Sequence, residues 1–166
     1  MRLLRLLKET GWRWWWLILL FIVLDQASKQ WVLHAIPYQG SIPLLPVFEL
    51  AHVYNRGAAF SFLSDAGGWQ RWFFTGIAVV ISIVIAVWLS RVGRAQLKLS
   101  LALSLVLAGA IGNLIDRAIY GYVIDMLHVF YKSWSYPVFN LADSVIFIGA
   151  VLLIWDSFSS KPEVKA

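Results

Sequence analysis

No cysteine occurs among the 166 residues, which removes disulfides, thiolate metal ligands and a cysteine nucleophile in one step. Charge is scarce too, at 14% of residues against about 25% in a soluble domain, while hydrophobic residues reach 60% against about 45–50%. That balance is the balance of a membrane protein, and the length permits one domain. Histidine is limited to His34, His52 and His128, without the short spacing two metal ligands on one helix need, so neither a metal nor another cofactor is expected. The net charge of +5 forms no single patch. A nucleic-acid partner is therefore not expected. The chain shows neither an internal repeat nor a low-complexity segment.

What is present is a series of apolar runs. A helical span needs ~20 residues at a rise of ~1.5 Å each, and four segments meet that length, at about residues 13–33, 71–90, 98–116 and 138–156. The basic start and apolar run at the N-terminus resemble a secretory signal, but Asp25, Gln26 and Lys29 stand where a small-residue cleavage site belongs. An uncleaved first span is expected. The expected fold is an all-α polytopic membrane protein with four transmembrane helices, 1–166 forming one integral membrane domain.

Four spans put both termini on one side. Nine of the 14 Lys and Arg lie in the N-terminal segment (Arg2, Arg5, Lys8, Arg13), between the second and third spans (Arg91, Arg94, Lys98) and in the tail (Lys161, Lys165). By the positive-inside rule that side is cytoplasmic. The loops at about 34–70 and 117–137 then face outward. The first is too long for a simple helix connection of about 2–8 residues. Its three prolines, its alternating run from Val47 to Tyr54 and its turn-rich end at Asp65-Ala66-Gly67-Gly68 predict short strands with Phe48, Leu50, His52 and Tyr54 on one face. A small extracytoplasmic sheet results.

An aspartate surrounded by lipid is costly, so each one needs a reason. Asp25 lies twelve residues past Arg13, ~18 Å into a core of ~30 Å. Asp116 ends the third span and Asp143 sits five residues inside the fourth, ~8 Å below the outer surface. Asp125, in the outward loop, is free to approach both. Two carboxylates sharing a site raise the proton affinity of one, leaving an acid and a base to work on one water. The bland alternative is that each Asp caps a helix or pairs with Arg117 or Lys132.

Asn55, Asn113, Arg117 and Asn140 join the same outer cluster. Arg117 is placed to neutralise Asp116, and Asp25 and Lys29, four apart, can pair within the first helix. Ser28 next to Lys29 invites a serine/lysine dyad, but adjacent helical residues point about 100° apart. Small residues Ala108, Gly109, Ala110 and Gly112 read as packing positions on the third helix. Two other classes stay open on residues alone, a proton-coupled transporter and a structural membrane subunit.

Five blocks stand in order: Asp25-Gln26-Ala27-Ser28-Lys29, Asn55-Arg56-Gly57-Ala58-Ala59-Phe60, Gly112-Asn113-Leu114-Ile115-Asp116-Arg117, Val123-Ile124-Asp125 and Phe139-Asn140-Leu141-Ala142-Asp143. With four spans, they make the sequence resemble the bacterial lipoprotein signal peptidases over nearly its whole length. The resemblance implies an aspartyl endopeptidase of the inner membrane that cuts a prolipoprotein before its diacylglyceryl-modified cysteine. It assigns the catalytic pair to Asp125 and Asp143. Asn55, Gly57, Asn113, Asp116, Arg117 and Asn140 take supporting roles near substrate, and Asp25 and Lys29 a stabilising one. It further implies that the outward loops form a small sheet and a mobile lid over the site; a site near the periplasmic face, membrane lipids as partners and a monomer are expected besides. Met126 stands where the family usually has Phe, and Arg56 where a small or polar residue is common.

Overall fold

A computed structural model describes residues 7, 9–57 and 68–159. Ala58, Ala59, Phe60, Asp65, Ala66 and Gly67, any lid formed there, and the basic residues Arg2, Arg5, Lys8, Lys161 and Lys165 lie outside the described residues. After a short 3-10 turn, Gly11–Trp14, come α1 (Trp15–Ala35), β1 (Ser41–Leu45), β2 (Phe48–Asn55), α2 (Gln70–Arg91), α3 (Leu97–Ile119), β3 (Val123–Tyr131), β4 (Trp134–Ser135) and α4 (Leu141–Ser159). Among the described residues, four helices are long and apolar enough to cross a membrane, the first counted with its 3-10 turn.

Helix α3 is the centre of the bundle. In its most apolar stretch 67% of residues are buried, against 22% or less in the other three, because it packs on α1, α2 and α4 at once. Small side chains allow this: a Cβ at Gly109 would run into the Ala142 carbonyl and Ile146, and one at Gly112 would lie 2.6 Å from Asp25 Oδ2. The outward faces of the other helices carry Leu19, Val80 and Phe147, all exposed. Lipid is their natural solvent.

One end of the bundle is closed by the start of α1 meeting the α2–α3 link. Gly11 N donates to Val92 O at 3.0 Å, and Arg13 donates to Arg94 O at 2.6 Å and to Ser100 Oγ at 2.8 Å. Lys98 lies over the Trp155 ring at the end of α4. The described basic residues Arg13, Arg94 and Lys98 thus gather at one end.

At the other end lies an antiparallel sheet in the order β1-β2-β3-β4. Its inner contacts, Ile124 and Met126 on Val32 and Ile36, tie it to the last turns of α1. The pairing slips between Leu50 and Val53: Leu50 faces Leu127, whereas Val53 faces Asp125 and Asn55 faces Val123. One extra residue on β2 reverses its alternation. The single face expected from Phe48 through Tyr54 therefore breaks, and Asn55 comes onto the Asp125 face.

The sheet also reaches α4. Phe139 bridges Leu127, its carbonyl accepting from Met126 N at 2.9 Å and Leu127 N at 2.7 Å. This pairing keeps residues 138–140 out of the helix, so α4 begins at Leu141 rather than at 138.

Candidate active site

The start of α4 is fixed by a reciprocal cap. Asn140 Oδ1 accepts from Asp143 N at 2.9 Å, and Asp143 Oδ2 accepts from Asn140 N at 3.2 Å, which is the Asn-x-x-Asp form of a capping box. The capping alternative therefore holds for one oxygen of Asp143. Its other oxygen, Oδ1, accepts from Asn113 Nδ2 on α3 at 2.7 Å.

Asp125 reaches the same place from β3. Asn140 Nδ2 donates to its Oδ1 at 2.7 Å, and Asn55 Nδ2 to its Oδ2 at 3.0 Å. Asn55 is itself aimed, since its Oδ1 accepts from Gly57 N at 3.0 Å. Asp125 is 2% exposed. Burial, and next the neighbouring Asp143 carboxylate, push its pKa up to about 7, although the bonds from Asn55 and Asn140 oppose them.

Asp125 and Asp143 line one cavity of about 370 Å³ with Asn55, Asn113 and Arg117. Its apolar wall includes Tyr136 and Phe139 and runs down α4 past Ile146 to Phe147, which is 70% exposed on the outer face of the helix. A polar end and an apolar flank open to the bilayer suit an extended peptide that arrives from the side. Among the described residues, no three His, Cys, Asp or Glu side chains are grouped to hold a metal.

Behind the cavity sits a dry ionic cluster. Lys29 Nζ contacts Asp25 Oδ2 at 2.8 Å and Asp116 Oδ2 at 2.9 Å, and donates to Asn113 Oδ1 at 3.1 Å. The partner of Asp116 is thus Lys29, not Arg117, which instead donates to Gly57 O at 3.4 Å and lies over Phe74. Asp116 points into the bundle, whereas Arg117 turns to the cavity. Ser28 Oγ donates to Asp25 O, so Ser28 and Lys29 form no dyad. Met126 is buried in the sheet–helix contact and Arg56 is exposed.

A model of the family described as signal peptidase (SPase) II matches residues 17–159. The chain belongs to the signal peptidase II family. It is 55% identical over 157 residues to a lipoprotein signal peptidase of Pseudoalteromonas translucida, covering 95% of each chain. To that of Shewanella oneidensis it is 53% identical over 151 residues, 91% of this chain and 89% of the relative. A bacterial membrane enzyme solved by the in meso method superposes with a TM-score of 0.77 at 28% identity, covering 90% of this chain and 91% of its own. The transporter and structural-subunit alternatives are set aside.

Two residues of this signal peptidase II chain, Gln26 and Phe139, stand within the sequence blocks but were assigned no role from sequence. Gln26 Nε2 donates to Asp116 Oδ1 at 2.9 Å and to Gly112 O at 3.1 Å, and its signal was available as an amide within an apolar run. Phe139 acts through its backbone, for which no side-chain signal exists.

Proposed function

We propose that the chain removes signal peptides from prolipoproteins as an aspartic endopeptidase, cutting before the diacylglyceryl-modified cysteine, with Asp125 and Asp143 as its catalytic pair. The observation that carries this is one cavity holding both carboxylates, each fixed by amide donors, beside an apolar flank that opens onto the outer face of α4.

Asp125, whose pKa burial and the neighbouring Asp143 carboxylate push up to about 7, supplies the acid of the pair. Asp143 takes a proton from water as the water oxygen attacks the peptide carbonyl, and Asp125 gives its proton to the carbonyl oxygen. In the tetrahedral intermediate the Asp143 proton passes to the amide nitrogen as the C–N bond breaks. A hydroxyl of the intermediate then returns a proton to Asp125. The products are the signal peptide's new carboxyl group and a free amine on the lipidated cysteine. Arg117 and Asn55 border the reacting carbonyl, while Gly57, Asn113, Asp116 and Asn140 support the pair.

The enzyme works as a single integral domain and a monomer in the inner membrane, a reading compatible with one chain supplying both carboxylates and the amides that hold them. The end carrying Arg13, Arg94 and Lys98 faces the cytoplasm, with both termini. The cavity lies near the periplasmic face, where lipids deliver the substrate's acyl chains along α4. Purified chain should cleave a lipidated prolipoprotein and spare its unlipidated form. Asp125→Asn and Asp143→Asn should each lose at least about 10³-fold in kcat while remaining folded. Wild-type cleavage by either variant would sink the assignment.

A further inference from the structure

Lys29 has three ammonium protons and three acceptors within reach: Asp25 Oδ2, Asp116 Oδ2 and Asn113 Oδ1, at 2.8, 2.9 and 3.1 Å. The side chain is fully buried. Pairing within the first helix does not account for the arrangement, because the ammonium also meets two acceptors on α3 and one of them is an uncharged amide. Stability alone does not account for it either, since a buried ion cluster is often no more stabilising than a well-packed apolar one.

The remaining bonds of the three acceptors show what the cluster does hold. Asp25 Oδ1 accepts from Ala142 N at 2.9 Å, the peptide immediately before Asp143. Asp116 Oδ2 also accepts from Ile124 N at 3.1 Å, the peptide immediately before Asp125. Asn113 Oδ1, held by Lys29 and by Asn140 Nδ2 at 3.1 Å, must point its amide nitrogen away, and that nitrogen donates to Asp143 Oδ1. One ammonium thus meets both backbone segments that carry the carboxylate pair and the amide that orients one member of it.

Resting on the catalytic reading of Asp125 and Asp143, we propose that Lys29 is a positioning residue that fixes the two carboxylates relative to each other, in addition to stabilising the bundle. A tetrahedral ammonium can address three acceptors that are not coplanar; the planar guanidinium of arginine cannot do so in the same volume. The geometry, more than the charge, is what the reaction uses.

The test is steady-state cleavage of a lipidated prolipoprotein by the full chain in lipid vesicles, with kcat expressed per folded molecule from tryptophan-monitored thermal melts. Lys29→Met, Lys29→Arg and the double variant Asp25→Asn with Lys29→Gln are compared with Asp143→Asn. The double variant removes one charge of each sign, so it strands one buried carboxylate, Asp116, rather than the two stranded by Lys29→Met. Every folded variant should lose about 100-fold in kcat, the scale of a misplacement near 1 Å, with KM within about threefold of wild type.

Asp125 is faced by Asp143 of α4, by Arg117 of α3 and by Lys29 of α1, whose cation favours ionised Asp125. The alkaline limb of the Lys29→Met pH profile should therefore move up. A folded Lys29 variant with wild-type kcat and pH profile, beside an inactive Asp143→Asn, overturns the proposal. So does failure of all three to fold, which would make Lys29 a stability residue. Cleavage by Asp143→Asn would instead overturn the reading of the catalytic pair.

Discussion

At the residue scale, the catalytic role proposed for Asp125 couples the chemistry to pH. Its folded pKa of about 7 stands well above the ordinary value of about 3.9. The folded protein therefore binds a proton that the unfolded chain has released between those limits. The stabilisation from this proton is complete below about pH 4 and is lost as pH rises through about 7. Two outcomes follow. Cleavage by the wild type should decline on the alkaline side of about pH 7, as the acid form of Asp125 disappears, which a kcat/KM profile in vesicles would measure. Asp125→Asn, expected to be inactive, should raise the melting temperature more at pH 8 than at pH 4; an equal change at both would contradict the burial of an ionised group.

At the element scale, two local devices bring the pair together. The slip between Leu50 and Val53 turns Asn55 toward Asp125, and the Phe139–Leu127 bridge lays β3 against the start of α4. The sheet is laced across its width by Ser41 on Glu49 at 2.8 Å, Glu49 on His128 at 2.8 Å and His128 on Ser135 at 2.7 Å. The His128 bond, and next the Ser41 bond, hold the Glu49 pKa below its usual value. That stabilisation is present above about pH 4.5 and lost as pH falls through the lowered value. Because Glu49 and His128 are partly solvated, Glu49→Gln should cost at most about 1 kcal/mol at pH 6, read as faster amide exchange in β1 and β2. Gly112→Val belongs to the same scale. Its Cβ would meet Asp25 Oδ2 at 2.6 Å, so overpacking should destabilise the bundle by about 1–3 kcal/mol or more, seen in thermal melts.

At the scale of the whole molecule, the antiparallel bundle separates a basic end from a polar, sheet-covered end. The absence of cysteine makes orientation directly measurable. In intact cells, Ser135→Cys should react with a membrane-impermeant maleimide, whereas Arg94→Cys should react only after permeabilisation. The reverse pattern would move the cavity to the cytoplasmic side. In the orientation proposed above, the flank at Phe147 and the sheet border the two sides of the cavity in which the proposed lipidated substrate sits.

The sequence by itself determined the four helices, because apolar runs of span length have few other folded uses. It also placed Asp116 and Asp143 at the same end, because rise and antiparallel order leave no other choice. The pairing of Asp25 with Lys29 was legible as an i, i+4 spacing. Tertiary structure alone decided that Asp116 joins Lys29 while Arg117 turns to the cavity, since both reach from one helix end and only the packing of α1 on α3 chooses between them. It alone placed Asn55 beside Asp125, because a one-residue slip in strand pairing leaves no mark in composition or periodicity. The cap at Asn140 depended on a backbone bridge from Phe139, whose side chain carries no sign of it. Helix formation follows from local pattern; the meeting of Asp125 with Asp143 follows from contacts between residues far apart in the chain.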